Sequence, residues 1–352
     1  FINLPTGIFG IFLAATVLTD PPHLVRGLAR IDVVGIGLLA LGLTATQIFL
    51  ERGERDNWFE SSFIQMTALV ALVTLVVLVW WELRVEEPVV NLRVLKNAPF
   101  VAGVSMGLIF GLALFGSLFI LPLFLQQLQG YSVFDSGLIQ MPRTLIVIAV
   151  APIAGLLYTR VDSRVVIGFG IVLIMIGYFQ MAHFNLDVGG MQMLPAFLVG
   201  GAGLALTFST MSAAAMRTMP PQRFTAASGL YTLGRRIGGN IGYAFVAGQV
   251  THRTTFHRAR LVDHLTLYDA GTTQTLEGLA GRLATGGLPP GIAEDTALKL
   301  LDGTVNRHAT MMAYNDIFWL MGMLFVLCLP FLFLLGGRAS AGSRTASTRS
   351  AT

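Results

Sequence analysis

Residues 229–250 read GLYTLGRRIGGNIGYAFVAGQV, a glycine-rich apolar run of 22 residues, long enough to cross a bilayer as a helix. Arg235 and Arg236 are its only charged residues and stand near its middle. An arginine inside the membrane costs from about 3 to more than 10 kcal/mol, so it is retained for a partner, for water or for function. On a helix, Thr232, Arg236, Asn240 and Tyr243 stand at i, i+4, i+8 and i+11 and form one polar stripe. That stripe is expected to face a wet cavity. Arg235 points about 100 degrees away at 3.6 residues per turn, beside Gly238 and Gly242.

Outward from this stretch the chain has the same character. Of 352 residues 54% are hydrophobic and 12% charged, with a mean hydropathy of +0.70, which excludes a soluble domain of this size. Apolar runs recur at 1–18, 33–50, 63–81, 100–125, 137–158, 165–184, 191–216, 226–250 and 314–336, so nine membrane-spanning helices are expected. A β-barrel is excluded, because its strands would be about ten residues long and would alternate in hydrophobicity. The fold class is therefore an all-α polytopic membrane protein.

Basic residues set the orientation. The segments after the first, third, fifth, seventh and ninth spans carry Arg26 and Arg30; Arg84, Arg93 and Lys96; Arg160 and Arg164; Arg217 and Arg223; and Arg338, Arg344 and Arg349. Lys and Arg are enriched in cytoplasmic loops, so these segments face the cytoplasm and residues 251–310 face outside. Arg143, Arg235 and Arg236 are the only basic residues left inside spans. The net charge of +4 is thus a matter of topology, and nucleic acid is not an expected partner. Every Asp and Glu falls in a loop or at a span end, leaving no carboxylate at mid-membrane where a proton-driven transporter usually keeps its relay group. Cys328 is the single cysteine, so no disulfide framework forms within the chain. The first residue is Phe1 rather than Met, and the chain reads as a fragment that lacks its N-terminal part.

Several strings fall at telling places: FINLPTG at 1–7, RIDVVGIGLLALGL at 30–43, ERGERDNWFESS at 51–62, LQQLQGYSVFDSGLIQMP at 125–142, AGLLYTRVDSR at 154–164, MPPQRFTAASGLYTLGRRIGGNIG at 219–242 and NDIFW at 315–319. Together they resemble the 14-span drug:proton antiporters of the major facilitator superfamily, in particular the EmrB-like branch. The resemblance implies that FINLPTG opens the sixth span and that five are missing. It implies a last helix of the N-terminal bundle at 1–19, two linker helices at 31–84, a complete C-terminal six-helix bundle at 99–336 and a disordered cytoplasmic tail at 337–352. It places the coupling carboxylate in the N-terminal bundle, and it matches Arg235, not Arg236, to the arginine of the family's R-x-(I/L)-G-G-x-(I/L)-G pattern. Geometry and resemblance thus nominate different arginines.

The stretch GLLYTRVDSR resembles the superfamily's cytoplasmic gating loop, with Gly155, Arg160, Asp162 and Arg164 as the matching positions. Thr159 stands where the family has an acid, which leaves Asp162 to pair with Arg160 or Arg164; a positive-inside turn with a surface ion pair is the other reading. Gly103, Gly107 and Gly111 make a smooth face on the fourth span, read as helix packing. Pro122, Pro142, Pro152 and Pro195 lie in or near spans and are expected to kink them. His252, His257, His264 and His308 lie in the external loop at spacings that fit no metal motif, and RARLVDHL, TLEGLAGRL and DTALKLLDGTV there read as short amphipathic helices of a capping or docking subdomain.

The substrate pathway is accordingly assigned to Arg236, Asn240, Thr232, Tyr243, Arg235 and Arg143. The function this implies is part of a secondary multidrug exporter in a bacterial inner membrane, moving small amphipathic compounds by proton antiport, with the proton as coupling ion and no cofactor. Membrane lipids surround it, and the resemblance implies a periplasmic adaptor as a partner. An exporter of one solute such as a fatty acid, or a non-transporting receptor or scaffold, is the alternative. An enzyme would need clustered His, Asp, Glu or Ser at one membrane face, and no such cluster occurs.

Overall fold

A computed structural model describes residues 3–17, 32–85, 88–217, 219–220, 224–265 and 270–334. Among the described residues the chain is helical and contains no strand. Backbone groups in lipid have no water to bond, so a helix that satisfies its own N–H and C=O groups is the natural answer to so apolar a sequence. The helices are α1 (Asn3–Val17), α2 (Val33–Arg52), α3 (Ser62–Glu82), α4 (Ala98–Leu123), α5 (Val133–Arg160), α6 (Ser163–Met181), α7 (Gly190–Met216), α8 (Phe224–Asp263), α9 (Ala270–Thr285), α10 (Pro290–Val326) and α11 (Leu329–Leu334).

Short polar side chains start the spans. Asp32 caps α2 by accepting from the Gly35 N–H at 2.8 Å, Asn97 caps α4 through the Phe100 N–H at 3.1 Å, and Ser132 caps α5 through the Asp135 N–H at 3.1 Å. Pro122 lies inside α4, and the chain then widens into a π-helical turn at Phe124–Leu128. This is the kind of irregularity that a proline in a helix produces.

Seven helical stretches among the described residues are long and apolar enough to cross a membrane: α2, α3, α4 with its π turn, α5, α6, α7, and α10 together with α11. α1 has only 15 described residues. α8 spans 40 residues but mixes its apolar positions with Arg235, Arg236 and a charged outer half, which lowers its hydropathy below that of the others. Residues 1–2, 18–31 and 335–352, which include parts of the expected N-terminal helix, the Arg26 and Arg30 loop and the tail, lie outside the described residues.

The segment 251–310 departs from the sequence expectation. RARLVD belongs to the end of α8 and DTALKLLDGTV to the first half of α10; of the three amphipathic segments only TLEGLAGRL lies in a separate helix, α9. α8 and α10 therefore continue well beyond their apolar stretches. Their charged parts are tied together: Asp316 on α10 meets Arg253 at 3.2 Å and His257 at 2.8 Å, and Arg258 meets Asp302 at 2.6 Å.

The main buried hydrophobic cluster draws on α4, α6, α7, α8 and α10. Phe110 of α4 meets Phe325 of α10 edge-on at 5.8 Å, Phe325 stacks on Tyr178 of α6 at 5.9 Å, and Phe124 lies between Tyr314 and Phe318 at 5.4 and 5.7 Å. These rings are buried, and offset or edge-on pairs contribute about 0.5–1.5 kcal/mol each beyond area burial. In the spanning part of α7 61% of residues are buried, against 11% in α5 and 17% in α2, so α7 is a central helix and α5 and α2 are peripheral among the described residues.

Candidate functional site

The site is built on α8. Along one side α8 meets α4 at a seam of glycines. A methyl group added at Gly238 would press on the Leu108 carbonyl, one at Gly242 on the Leu112 carbonyl, and one at Gly111 on the carbonyl of Arg235. Gly107 lies under the Tyr231 ring, whose Cε2 would be 3.0 Å from an added methyl. Gly103 is buried one turn earlier on the same helix. Small residues let two backbones approach to contact distance, and that contact holds α8 fixed while its other face stays open.

The open face lines a cavity of about 720 Å³. Arg235, Arg236, Asn240 and Tyr243 of α8 contribute to its wall, with Leu43, Thr44, Gln47 and Ile48 of α2 opposite and Phe115 of α4 between them. A second space of about 370 Å³ shares Gln47, Asn240 and Tyr243 with the first and runs on to Glu51 and Glu54 at the end of α2. The structure thus brings together three of the four stripe residues. Thr232, one turn before Arg236, lies outside this wall and is half-buried. Tyr243 is held by Phe115 at 5.9 Å and by Phe119, edge-on, at 5.8 Å.

The two arginines have different surroundings. Arg236 is exposed into the cavity. Arg235 is half-buried, and its guanidinium lies over the Phe208 ring of α7 at 4.8 Å from the centroid. A cation over an aromatic face contributes about 0.5–2 kcal/mol, more when water is excluded. Arg235 therefore both borders the cavity and bridges α8 to α7.

Phe208 also lines a cavity of about 500 Å³ between α4, α5 and α7, together with Phe110, Leu114, Val147, Leu204 and Arg143. Arg143 is only 8% exposed, and its guanidinium donates to the Ser117 hydroxyl at 3.3 Å. Five guanidinium N–H donors exceed what one hydroxyl accepts. Arg143 is thus a buried cation in the wall of this cavity. Thr44, Gln47, Phe115 and Phe208 were not singled out by the sequence. The only signal for the first two is that they are polar residues inside the apolar run of α2.

The residues matched to a gating loop lie elsewhere. Arg160 is the exposed last residue of α5, and Gly155 is exposed with nothing within 4 Å of an added methyl group. Asp162 accepts from the backbone N–H of Arg164 at 2.9 Å and so caps α6. Among the described residues no three His, Cys, Asp or Glu side chains converge as a metal site requires.

Comparison with known proteins agrees with this architecture. The chain is similar to the multidrug export protein EmrB of Escherichia coli K12, 26% identical over 97% of this chain and 65% of that protein. It is equally similar to the fatty acid resistance protein FarB of Neisseria gonorrhoeae, 26% identical over 95% of this chain and 64% of the relative. The multidrug resistance protein Stp of Mycobacterium tuberculosis is 27% identical over 71% of this chain and 46% of its own length. The chain thus spans under two thirds of the length of these curated relatives. A family model, the Major Facilitator Superfamily, matches residues 2–243, from α1 to the middle of α8. With more than half of the chain matched and its spanning helices assembled around an α4–α8 seam, this multi-pass membrane protein belongs to the Major Facilitator Superfamily.

Proposed function

We propose that the chain forms the larger part of a secondary exporter of amphipathic compounds, driven by proton antiport and working by alternating access. The observation that carries this reading is the cavity between α2, α4 and α8. Its wall combines apolar Leu43, Ile48, Phe115 and Ile237 with polar Thr44, Gln47 and Asn240 and cationic Arg236, which is the mixture an amphipathic solute needs. The likeness to EmrB, a multidrug export protein, and to Stp, a multidrug resistance protein, supports it. Gly103, Gly107 and Gly111 serve as packing, and Gly155, Arg160, Asp162 and Arg164 shape the turn between α5 and α6. A bacterial inner membrane is the setting, and a periplasmic adaptor is the partner that the EmrB likeness supports.

Export of one solute class, a fatty acid, is the second reading. It is favoured by FarB, a fatty acid resistance protein, and by guanidinium groups that would pair with a carboxylate inside apolar walls.

Everted membrane vesicles from cells that express the protein test both readings. Energised by an imposed pH gradient, they are expected to accumulate several chemically different amphipathic dyes, and collapse of the gradient stops uptake. Uptake restricted to long-chain fatty acids selects the second reading. No uptake of any compound above empty-vector vesicles overturns both and leaves a receptor or scaffold.

A further inference from the structure

We infer that Asp32 and Glu82, at the base of the α2–α3 hairpin, form a proton-binding site that latches the hairpin to the segment leading into α4. The inference does not depend on the export reading. Both carboxylates lie over the bare Cα of Gly35, where an added methyl would stand 2.9 Å from the Asp32 Cγ and 3.0 Å from the Glu82 Oε1. Asp32 uses both oxygens as acceptors: Oδ1 takes the Gly35 N–H at 2.8 Å, and the Trp81 indole N–H lies 3.0 Å from Oδ1 and from Oδ2. Its acceptor capacity is therefore in use.

Glu82 differs. It is 1% exposed; its Oε2 accepts from the Val90 N–H at 3.2 Å, and its Oε1 is buried with no hydrogen-bond partner among the described residues. A buried carboxylate oxygen beside a second carboxylate is costly unless something positive joins it. None of the described cations nearest in sequence bonds the Glu82 Oε1. Arg84 lies over the Trp80 ring at 4.0 Å, Arg93 donates to the carbonyls of Leu83 and Val85 at 3.3 and 3.4 Å, and Lys96 is exposed and lines a separate cavity with Arg93. Arg26, Arg30, Glu86 and Glu87 lie outside the described residues.

The donor set selects the ligand. A calcium ion takes six to eight oxygens and magnesium a near-octahedral shell. Here one oxygen is uncommitted, and no third acid among the described residues converges on the pair. A proton on Glu82 Oε1 needs nothing more: the neutral carboxyl keeps Oε2 as acceptor for Val90 and gains an O–H to offer toward Asp32. Loss of that proton to water leaves two anions over Gly35. Glu82 must then move out toward solvent, and the Val90 N–H loses its acceptor. The proton thus governs whether residues 88–96, which lead into α4, stay docked on the hairpin.

Infrared difference spectroscopy of the full chain in lipid vesicles reads the proton directly. At neutral pH the wild-type chain is expected to show a protonated-carboxyl C=O band, shifted by D2O, that Glu82→Gln loses and the exposed-site control Glu60→Gln keeps. In Asp32→Asn, with the neighbouring charge removed, the band is expected to titrate at lower pH. Hydrogen exchange of the peptide around Val90 reads the latch: wild type loses protection as pH rises, after correction for the intrinsic rate, and Glu82→Gln, which retains both acceptor and donor, does not. Absence of the band in wild type, its persistence in Glu82→Gln, or identical exchange profiles for the two would overturn the proposal.

Discussion

Two of the helices around α8 treat it in opposite ways. Toward α4 it offers Gly238 and Gly242, and the two backbones touch with no room for a methyl group. Toward α2 it offers Arg236, Asn240 and Tyr243, and about 720 Å³ of space is left between the helices. The same helix is thus a packed wall on one side and an open wall on the other. Side-chain size, read at a spacing of three or four residues, decides which side is which.

The largest effect is therefore expected at the seam. Gly238→Val would drive a branched side chain into the Leu108 backbone, whose Cα stands 3.0 Å from the added Cβ. Overpacking of this kind costs about 1–3 kcal/mol when side chains can yield, and more against backbone. Thermal unfolding of the purified protein, followed by fluorescence-detected size exclusion, is expected to show a strongly reduced folded fraction. Gly155→Ala, with nothing within 4 Å of the added methyl, is expected to leave it unchanged or gain up to about 1 kcal/mol from helix propensity. Equal tolerance at both positions would break the reading of the α4–α8 seam as a contact with no room for a methyl group.

The paired arginines sharpen the same contrast. Arg235→Gln removes the cation from over Phe208 and is expected to cost about 0.5–2 kcal/mol of stability, lowering export of all compounds alike. Arg236→Gln, exposed in the cavity, is expected to hold stability within about 0.5 kcal/mol while changing which compounds are exported. Quantitative immunoblotting beside export rates for several chemically different compounds separates the two. The reverse pattern would make Arg235, the residue matched by family pattern, the solute-facing one.

How much of this was legible in the sequence depends on how local the signal is. The spanning helices follow from hydropathy, because in lipid only a self-satisfied backbone is tolerated. The stripe of Arg236, Asn240 and Tyr243 follows from helical period. The helices expected within 251–310 are present, but two of them are continuations of α8 and α10, and this too has a local reason: charge marks where the membrane ends, not where the helix ends. From Gln249 to Leu265 there is neither Gly nor Pro, so nothing breaks α8 before Asp263, and Pro289–Pro290 is a fitting start for α10. The partners that close the cavity were not legible. That Gln47 faces Asn240, or that Phe208 lies beneath Arg235, depends on contacts between helices distant in sequence.

A third substitution probes the α2 wall. Gln47 borders both spaces along α8, and Gln47→Leu replaces a polar side chain by an apolar one of similar length. Stability is expected to stay within about 0.5 kcal/mol, while export shifts toward less polar compounds in a competition assay. An unchanged profile would place the solute path away from α2, with the cavity between α4, α5 and α7 as the remaining wall.

The smallest effect is expected where α8 and α10 leave the apolar zone. Asp316 meets Arg253 and His257, but the Arg253 and Asp316 side chains are 41% and 37% exposed. Exposed ion pairs contribute about 0–1 kcal/mol because water and salt screen them. Asp316→Asn keeps the side-chain shape and one acceptor oxygen while removing the charge. Its midpoint of thermal unfolding is expected to fall slightly at low ionic strength, and the gap to wild type to close in concentrated salt. If it instead destabilises as much as Gly238→Val, the outer ends of α8 and α10 are held by charge as firmly as α4 and α8 are by packing. The glycine seam would then not be what anchors α8.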